Sequence, residues 1–476
     1  MIALILTACD EDKSYEFCPN EEGLSLPAPC DISTPECQQA VFEATLCVNG
    51  SSMPMPPVRM ITEAEYFAER GITDADLQSE TPPTAGAADT DSAADGAEDF
   101  DTAADAGDAA DAGDDTDTDT GSEIEVDTTS VVPWDESMRL LGLLGPESMQ
   151  AAENEGFNAS VLAYYDRQYQ DITVIKREDT AYWNEPMLTL AHEFTHAIQD
   201  YEIGLTEQSE LYSYDDDVQI SLKNIYEGDA MVRSDLAYAV LADVSVDDLF
   251  SREFYALNLS YLRRNIAAAS SPYVPAKNSL VYTTGSLYVY DTFKNEGLEG
   301  INRLREDFPT SAVYWMSGYD AVHQTASESS SQMLYHDLNL PLQCTWVNAP
   351  HGYEVTHQDS LGAALLFAVL SSDRIDGVYT VESSWDLALQ WREDSLRIFR
   401  ETGGSNIAAA WHLRMAEEAD TKRLETLLKA RLSDGILTRF GSEIIAFAAD
   451  DSAIVPNWVS SYTCDATRTQ TARAAP

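Results

Sequence analysis

The sequence predicts an α+β protein, with a mostly helical domain, a small sheet before its central helix, a helical C-terminal portion and a disordered acidic insertion. Three observations support this fold class. Apolar and polar residues alternate in 161–178, as in a β-hairpin, and apolar residues recur at helical spacing in 186–201. Residues 79–130, in contrast, contain almost no large apolar side chain and cannot offset the entropy of folding.

The chain begins with a short apolar run, MIALILTAC. This run resembles a bacterial lipoprotein signal, and the resemblance implies that Cys9 is the lipidated first residue of the mature protein, with 1–9 as the signal remnant. The alternative is an ordinary buried segment. Later stretches fall short of the roughly 18 apolar residues of a membrane span. We therefore expect an extracytoplasmic bacterial protein, lipid-anchored to the cell envelope or secreted, that meets a membrane only through its anchor.

Six cysteines remain after Cys9, and an even number is typical of disulfides formed in an oxidising compartment. The candidates for disulfides are Cys18, Cys30, Cys37, Cys47, Cys344 and Cys464. The first four fall in 10–52, a Cys-rich segment with little periodicity that we interpret as a disulfide-held module or a stalk. A zinc knuckle is the alternative, but no CxxC hook is present. The last two bracket the C-terminal portion and could form a disulfide with each other.

The chain is strongly acidic. The net charge is −54, and residues 79–130 carry 17 acidic residues and no basic one. Such a surface repels nucleic acid phosphates, so we expect no nucleic acid partner. Mutual repulsion also favours an extended, disordered 79–130. A calcium-binding tract is the alternative there, although no EF-hand-like loop is present.

The ordered remainder divides into segments of distinct pattern. Residues 53–78 are typical of a strand followed by a helix and would begin the main domain, which resumes in 131–340 and is followed by the C-terminal portion, 341–476. Within the hairpin, a polar turn is expected near 167–171. The other predicted helices cover residues 136–156, 218–270, 284–308, 359–371, 384–401 and 405–432.

The segment LTLAHEFTHAIQDYE, residues 188–202, contains two histidines four apart with a glutamate after the first. On a helix, His192 and His196 lie on one face and can bind one ion, and Glu193 lies about 100° around the axis, beside that ion. This is the HExxH arrangement of zinc hydrolases. The alternative is two solvated or core histidines in a chance pattern, which the amphipathic helix and the preceding strand pair disfavour.

A catalytic zinc needs a third protein ligand and an open position. An HExxHxxGxxH motif is excluded, because Gln199 and Glu202 occupy the positions of its glycine and last histidine. The best candidate is Glu227 in NIYEGDAMVRSD, because that segment also has a helical pattern and its small residues would let two helices approach closely. The candidates for a carboxylate that orients the histidines are Asp200 and Asp229, and the sequence does not choose between them.

HEFTHAIQDYE together with YEGDA resembles the gluzincin clan of zinc peptidases, in which a downstream glutamate completes the zinc site. The wider layout is similar to a mostly uncharacterised group of bacterial and archaeal proteins that carry HE(F/Y)THALQDQ and EGDA. Four further stretches resemble that group: LLGLLGPE (140–147), VLAYYDRQYQDITVI (161–175), VYTTGSLYVYDTFKNEGLEGINRLREDFPTS (281–311) and SSSQMLYHD (329–337). The resemblance implies a zincin-like fold over 131–340, with 79–130 as an insertion.

The resemblance also implies a chemistry. One zinc ion would be held by His192, His196 and Glu227. Glu193 would be the general base that activates a zinc-bound water for hydrolysis of a peptide bond in a peptide or protein substrate. Tyr282 is our candidate for the donor that stabilises the oxyanion, with a packing role as its alternative.

The leading hypothesis is therefore an extracytoplasmic zinc metalloendopeptidase of the gluzincin type. In this enzyme the strand at 172–175 would offer its edge to an extended substrate backbone. The alternative is a cell-surface protein of the same fold whose metal site is structural or inactive and which binds a partner; the presence of Glu193 favours the enzyme. A third hypothesis is an acidic surface protein with a fortuitous HExxH, which predicts no bound metal.

Overall fold

The computed structural model describes residues 30–69, 134–141, 162–176, 185–204, 215–245, 252–268, 273–320, 342, 344–345, 349–371, 381–432, 435–461 and 463–464. Several predicted features lie outside these ranges: the signal remnant with Cys9, Cys18, the acidic stretch 79–130, most of the helix predicted at 136–156, and 329–337.

The elements confirm the α+β class. The helices are α1 (Pro35–Asn49), α2 (Glu63–Glu69), α3 (Trp134–Leu140), α4 (Glu185–Ile203), α5 (Asp216–Ala242), α6 (Arg252–Ala268), α7 (Tyr273–Asn278), α8 (Leu280–Glu306), α9 (Ala312–Asp320), α10 (Gly362–Ser371), α11 (Val381–Ala388), α12 (Glu418–Arg431) and α13 (Val455–Ser461). The strands are β1 (Val58–Thr62), β2 (Ala163–Asp166), β3 (Asp171–Lys176), β4 (Cys344–Thr345), β5 (Tyr353–Asp359), β6 (Trp391–Glu401), β7 (Ile407–Met415), β8 (Ile436–Phe440), β9 (Glu443–Ala449) and β10 (Thr463–Cys464).

A three-stranded sheet precedes the helix that carries the two histidines. Its order is β1-β3-β2, with β1 parallel and β2 antiparallel to β3. The predicted hairpin is therefore confirmed, and chain from both sides of 70–133 joins one sheet. Because β3 is the central strand, both of its edges are already paired. The prediction that 172–175 offers an edge to substrate is wrong.

Helix α1 corrects the interpretation of 10–52 as a segment with little periodicity. The Thr34 hydroxyl accepts a hydrogen bond from the Cys37 amide at 3.3 Å, and Gly50 ends the helix in the left-handed region at φ 67°. Pro35 occupies the first helical turn, where proline is tolerated. The helix packs on α4 and α5 within the main core, so Pro35, Cys37 and Cys47 belong to a helix with a buried face.

The central layer consists of α4, α5 and α8. Helix α5 is capped at its start by Asp215, whose carboxylate accepts from the Val218 amide at 3.1 Å, and at its end by Asp243 in the left-handed region. It packs along α8, where Gly228 meets Gly285 and lets the two backbones touch. This contact confirms the expectation that small residues near Glu227 permit a close helix approach. Within the described ranges, no helix combines the length and apolar character that crossing a membrane requires.

The C-terminal portion is not helical throughout. The helix predicted at 384–401 gives way to β6 after Ala388, and the first half of the one predicted at 405–432 is strand β7. This portion contains an antiparallel sheet of order β5-β6-β7-β9-β8, against which α10, α12 and α13 pack. Strand β7, IAAAWHLRM, is buried along its whole length. A short apolar run that is buried on both faces has no alternation, so periodicity cannot distinguish it from a buried helix. Its alanines also favour helix by intrinsic propensity.

The five-stranded sheet shares the core of the helical layer. Leu396 and Ile398 on β6 face the main hydrophobic cluster, which also contains residues of α1, α4 and α8. Phe399 faces the other side, where its ring lies 4.8 Å from that of Trp458 on α13. The histidine-bearing helix and the C-terminal sheet therefore stabilise one another through a common apolar interior.

Candidate metal centre

The two motif histidines lie on one turn of α4, as their spacing predicts. Their Nε2 atoms are 2.9 Å apart, and their rings meet edge to face with centroids separated by 4.5 Å. Both residues are buried, at 6% and 7% exposure. Two imidazole nitrogens held this close out of water require a proton or a cation between them, because otherwise their lone pairs would repel.

Glu227 on α5 completes the group. Its Oε2 atom lies 3.2 Å from Nε2 of His192 and 3.1 Å from Nε2 of His196. Neighbouring ligand atoms around a tetrahedral zinc are about 3.3 Å apart, given bonds of roughly 2.0–2.1 Å. The three donor atoms therefore have the spacing and the chemistry of a metal site. Among the histidine, cysteine and carboxylate side chains in the described parts of the chain, these three have ligand atoms close enough together to hold a metal ion.

The electrostatics of the group favour a bound cation. Burial lowers the pKa of His192, and the neighbouring His196 lowers it further, so the ring favours its neutral, lone-pair form. Burial acts to raise the pKa of Glu227, but the two histidines outweigh it and hold that pKa below its usual range. A carboxylate and two neutral imidazoles form an electron-rich pocket with a formal charge of −1.

Gln199 fixes the ring of His196. The Gln199 amide nitrogen donates to the Tyr226 carbonyl at 3.0 Å and to an Asp229 oxygen at 2.7 Å. Both partners can only accept, so the amide oxygen must face the histidine, where it lies 2.8 Å from Nδ1 of His196. Nδ1 therefore carries the hydrogen, and the Nε2 lone pair points toward Glu227 and His192. This arrangement is typical of metal-binding histidines.

Asp229 is the carboxylate that accepts the hydrogen bond from Gln199. Burial acts to raise its pKa, but Arg305, Arg233 and the hydrogen bond from Gln199 together hold that pKa below its usual value. Their Nε atoms donate to it at 2.6 Å and 2.7 Å respectively. Asp229 thus contacts Gln199 and not a histidine, and Gln199 contacts His196.

Asp200, the other candidate, serves a different contact. Its carboxylate accepts a hydrogen bond from the Tyr165 hydroxyl of β2 at 3.1 Å, which joins α4 to the sheet. Within the described residues, Nδ1 of His192 has no hydrogen-bond partner. Neither histidine is thus held directly by Asp200 or Asp229.

Two further predicted residues lie beside the group. Glu193 follows His192 on α4 and is 1% exposed. The Tyr282 ring on α8 is nearly parallel to the His192 ring, with centroids 6.2 Å apart and an interplanar angle of 30°. The fold thus places Glu193 and Tyr282 beside the three donor residues. Their roles as general base and oxyanion donor remain predictions.

No protein-family model, no curated protein and no solved structure matches this chain. The likeness to gluzincin peptidases therefore stays a prediction from the motifs. The geometry shows that His192, His196 and Glu227 form a group able to hold one metal ion.

The cysteines are only partly described. Cys30 and Cys37 form a disulfide with a Cα–Cα distance of 5.7 Å, and Cys47 is also disulfide-bonded. Cys344 on β4 lies opposite Cys464 on β10 in an antiparallel pair, which places their backbones as the predicted disulfide requires.

Sequence reasoning missed Gln199, Arg233 and Arg305. Gln199 lies three positions after His196 on the same helix, and this spacing was a usable signal because such neighbours share a face. Arg233, four positions after Asp229 on α5, gave a signal of the same kind, whereas Arg305, 76 positions from Asp229 in sequence, gave none.

Proposed function

We propose that the protein is a zinc-dependent hydrolase of peptide bonds, of the gluzincin type, that acts outside the cytoplasm. The observation that carries this proposal is the convergence of two helices on one point. Helix α4 contributes His192, His196 and the neighbouring Glu193, and α5 contributes Glu227 at 3.1–3.2 Å from both histidines. Two nitrogen donors and one carboxylate form the ligand set of a catalytic zinc site.

A zinc ion held by these donors would polarise a carbonyl group and lower the pKa of water toward about 7. The residues of the chain supply the proton transfers. Glu193 takes the proton of the attacking water as general base and then delivers it to the leaving nitrogen as general acid. Tyr282 donates its hydroxyl hydrogen to the developing oxyanion. Gln199 keeps the His196 ring in the tautomer whose Nε2 faces the site.

One observation supports the extracytoplasmic location in this proposal, and another supports its class of partner. The bonded pair Cys30–Cys37 and the bonded Cys47 are typical of proteins that fold in an oxidising compartment. The net charge of −54 disfavours nucleic acid as a partner and is compatible with a peptide substrate. Anchoring through Cys9 is part of the same proposal and rests on the N-terminal pattern.

The burial of the group supports a second candidate, a structural metal site in a protein that binds a partner. The Glu227 side chain is 15% exposed and both histidine side chains are below 10%. Structural zinc sites are closed, whereas catalytic ones keep a position open for water. The two candidates differ in whether Glu193 performs chemistry.

The test compares the full chain with its Glu193→Gln variant. Zinc content is measured by elemental analysis and cleavage with a peptide library. We expect near-stoichiometric zinc in both proteins, and cleavage reduced at least about 10²-fold in the variant, because a general base contributes about that much. The matched control is Glu299→Gln, at an exposed position of α8. It should leave zinc content and cleavage unchanged. A wild-type chain without zinc contradicts the proposal, and zinc without cleavage selects the structural site.

A further inference from the structure

We propose that the C-terminal end of helix α1 positions the metal ligand His196 through a buried relay of polar side chains. Starting from α1, the relay consists of Asn49, Arg305, Asp229 and Gln199. The inference rests on the proposed metal site, but it does not require that the site be catalytic. It assigns to the N-terminal, disulfide-bonded helix a role in the geometry of a centre more than 140 residues away in sequence.

The relay begins at an oriented amide. The Asn49 side-chain nitrogen donates to the Thr45 carbonyl of the same helix at 2.9 Å. Its oxygen therefore faces the other way and accepts from Nη2 of Arg305 at 2.7 Å. Asn49 is 6% exposed, so water does not replace this acceptor easily.

A second arm runs through Arg233. Its Nη1 donates to the Val48 carbonyl at 2.5 Å, next to Asn49, and its Nε donates to Asp229 at 2.7 Å. Both guanidinium groups thus join the end of α1 to one carboxylate. A planar guanidinium holds its partners in a fixed fork, so a shift of α1 changes the position of Asp229.

The relay ends at the histidine. Asp229 accepts a hydrogen bond from the Gln199 amide nitrogen, and this bond determines that the amide oxygen of Gln199 faces Nδ1 of His196. Every member is buried below 9% exposure, where each hydrogen bond is strong and its loss is costly. Phe42 of α1 also lies 4.9 Å, centroid to centroid, from Phe194, which is two residues from the ligand.

Three variants test the relay. Asn49→Leu removes the acceptor and keeps the number and branching of side-chain heavy atoms. Asn49→Asp keeps an acceptor oxygen for Arg305, and Gln39→Leu changes an exposed side chain of α1 that bonds Glu43 at 2.8 Å. For each full-length protein, the zinc dissociation constant is measured by competition with a chromophoric chelator. The melting temperature of the metal-free protein is measured in parallel, and imidazole ¹⁵N NMR reports the Nδ1–H tautomer of His196.

Removing a direct partner of a metal-binding histidine costs about 10–100-fold in metal affinity. Gln199→Leu should reach that range, and Asn49→Leu, several bonds further away, about tenfold. Asn49→Asp keeps the acceptor for Arg305 but loses the donor to the Thr45 carbonyl, so its zinc dissociation constant should lie closer to the wild-type value than that of Asn49→Leu. Gln39→Leu should match wild type, and Asn49→Leu should weaken the Nδ1–H signal. If Asn49→Leu does not fold, the smaller Asn49→Ser carries the test.

An unchanged zinc dissociation constant in Asn49→Leu, with only a lower metal-free melting temperature, would overturn the relay and leave a purely structural network. That outcome does not affect the proposed hydrolysis. Conversely, a protein that binds zinc, cleaves no peptide and still shows the tenfold loss would sustain the relay while the proposed activity fails.

Discussion

Gly228 on α5 lies directly against Gly285 on α8. A methyl group added at Gly228 would overlap the backbone of Gly285 and come within 2.7 Å of its Cα atom. One added at Gly285 would overlap the Asn224 carbonyl and come within 3.0 Å of the Gly228 amide nitrogen. Because Glu227 precedes Gly228, this contact sets the position of the third donor.

Gly228→Ala should therefore destabilise the protein. Helix propensity alone favours alanine by about 1 kcal/mol. The overlap is with backbone that cannot rotate away, so we expect a net loss of about 1–3 kcal/mol in the free energy of unfolding. Zinc affinity should fall as well, since α5 must shift.

Urea denaturation and chelator competition measure these two effects. Asn295→Ala, at an exposed position of α8, is the control for propensity without overlap. A Gly228→Ala protein that is more stable than wild type would show that the two helices are not in contact in solution.

Metal removal should lower thermal stability. A ligand present at 1,000 times its dissociation constant stabilises the folded state by about 4 kcal/mol. Chelation should remove that contribution and leave three donors that face one another at 2.9–3.2 Å. In Glu227→Gln, the difference in melting temperature with and without zinc should shrink, because a neutral amide is a poor zinc ligand. Scanning calorimetry measures the difference, and an undiminished shift would place the metal elsewhere.

Stability should depend on pH through Asp217, in the first turn of α5. Burial, helped by the nearby Asp394 and Asp215, raises the pKa of this carboxyl to about 8 against the hydrogen bonds from the Ala312 amide and Ser311, which lower it. In the unfolded chain it titrates near 3.9. Between these values the folded state holds a proton that the unfolded state has released, so stability falls as pH rises through this window.

Asp217→Asn removes that proton uptake while keeping the oxygen that accepts from Ala312 at 3.0 Å. The free energy of unfolding of the variant, relative to that of wild type, should increase as pH rises from about 5 to 8, by at most about 1.4 kcal/mol per pH unit. Urea denaturation across this range measures the difference. The exposed Asp386→Asn is the control. A constant difference between Asp217→Asn and wild type would show that Asp217 is ionised throughout.

The Cys30–Cys37 disulfide should stabilise the docking of α1. It spans seven positions, and the chain-entropy model gives about 2 kcal/mol for a loop of that size. The double variant Cys30→Ala, Cys37→Ala should lose about this amount in chemical denaturation. Full reduction of the wild type should cost more, because Cys47 is also bonded. Equal stability of the reduced and oxidised wild type would contradict this role.

The donor group was accessible from the sequence because its parts are local or nearly so. His192 and His196 are one helical turn apart, and Glu227 is 31 positions later on the next long helix. The relay behind them was not accessible. Arg305 meets Asn49 across 256 positions, and no local pattern encodes a contact of that range.

The C-terminal sheet shows a different limit. In β6, Leu396 and Ile398 alternate with Arg397, a strand pattern, but acidic and basic residues of good helix propensity surround them. In β7 the alternation is absent because both faces are covered. These segments are strands because the sheet is buried on both faces, by the helical layer on one side and by Trp458 on the other.

The parallel pairing of β1 with β3 has a consequence for limited proteolysis. Residues 58–62 are hydrogen-bonded to 172–176, and α1 is packed against α4 and α5, so both sides of 70–133 belong to one folded unit. A single cut between those residues would yield two polypeptides on a denaturing gel. Under native conditions they should migrate together, and an affinity tag on the piece that bears the N-terminus should recover the histidine-bearing piece as well.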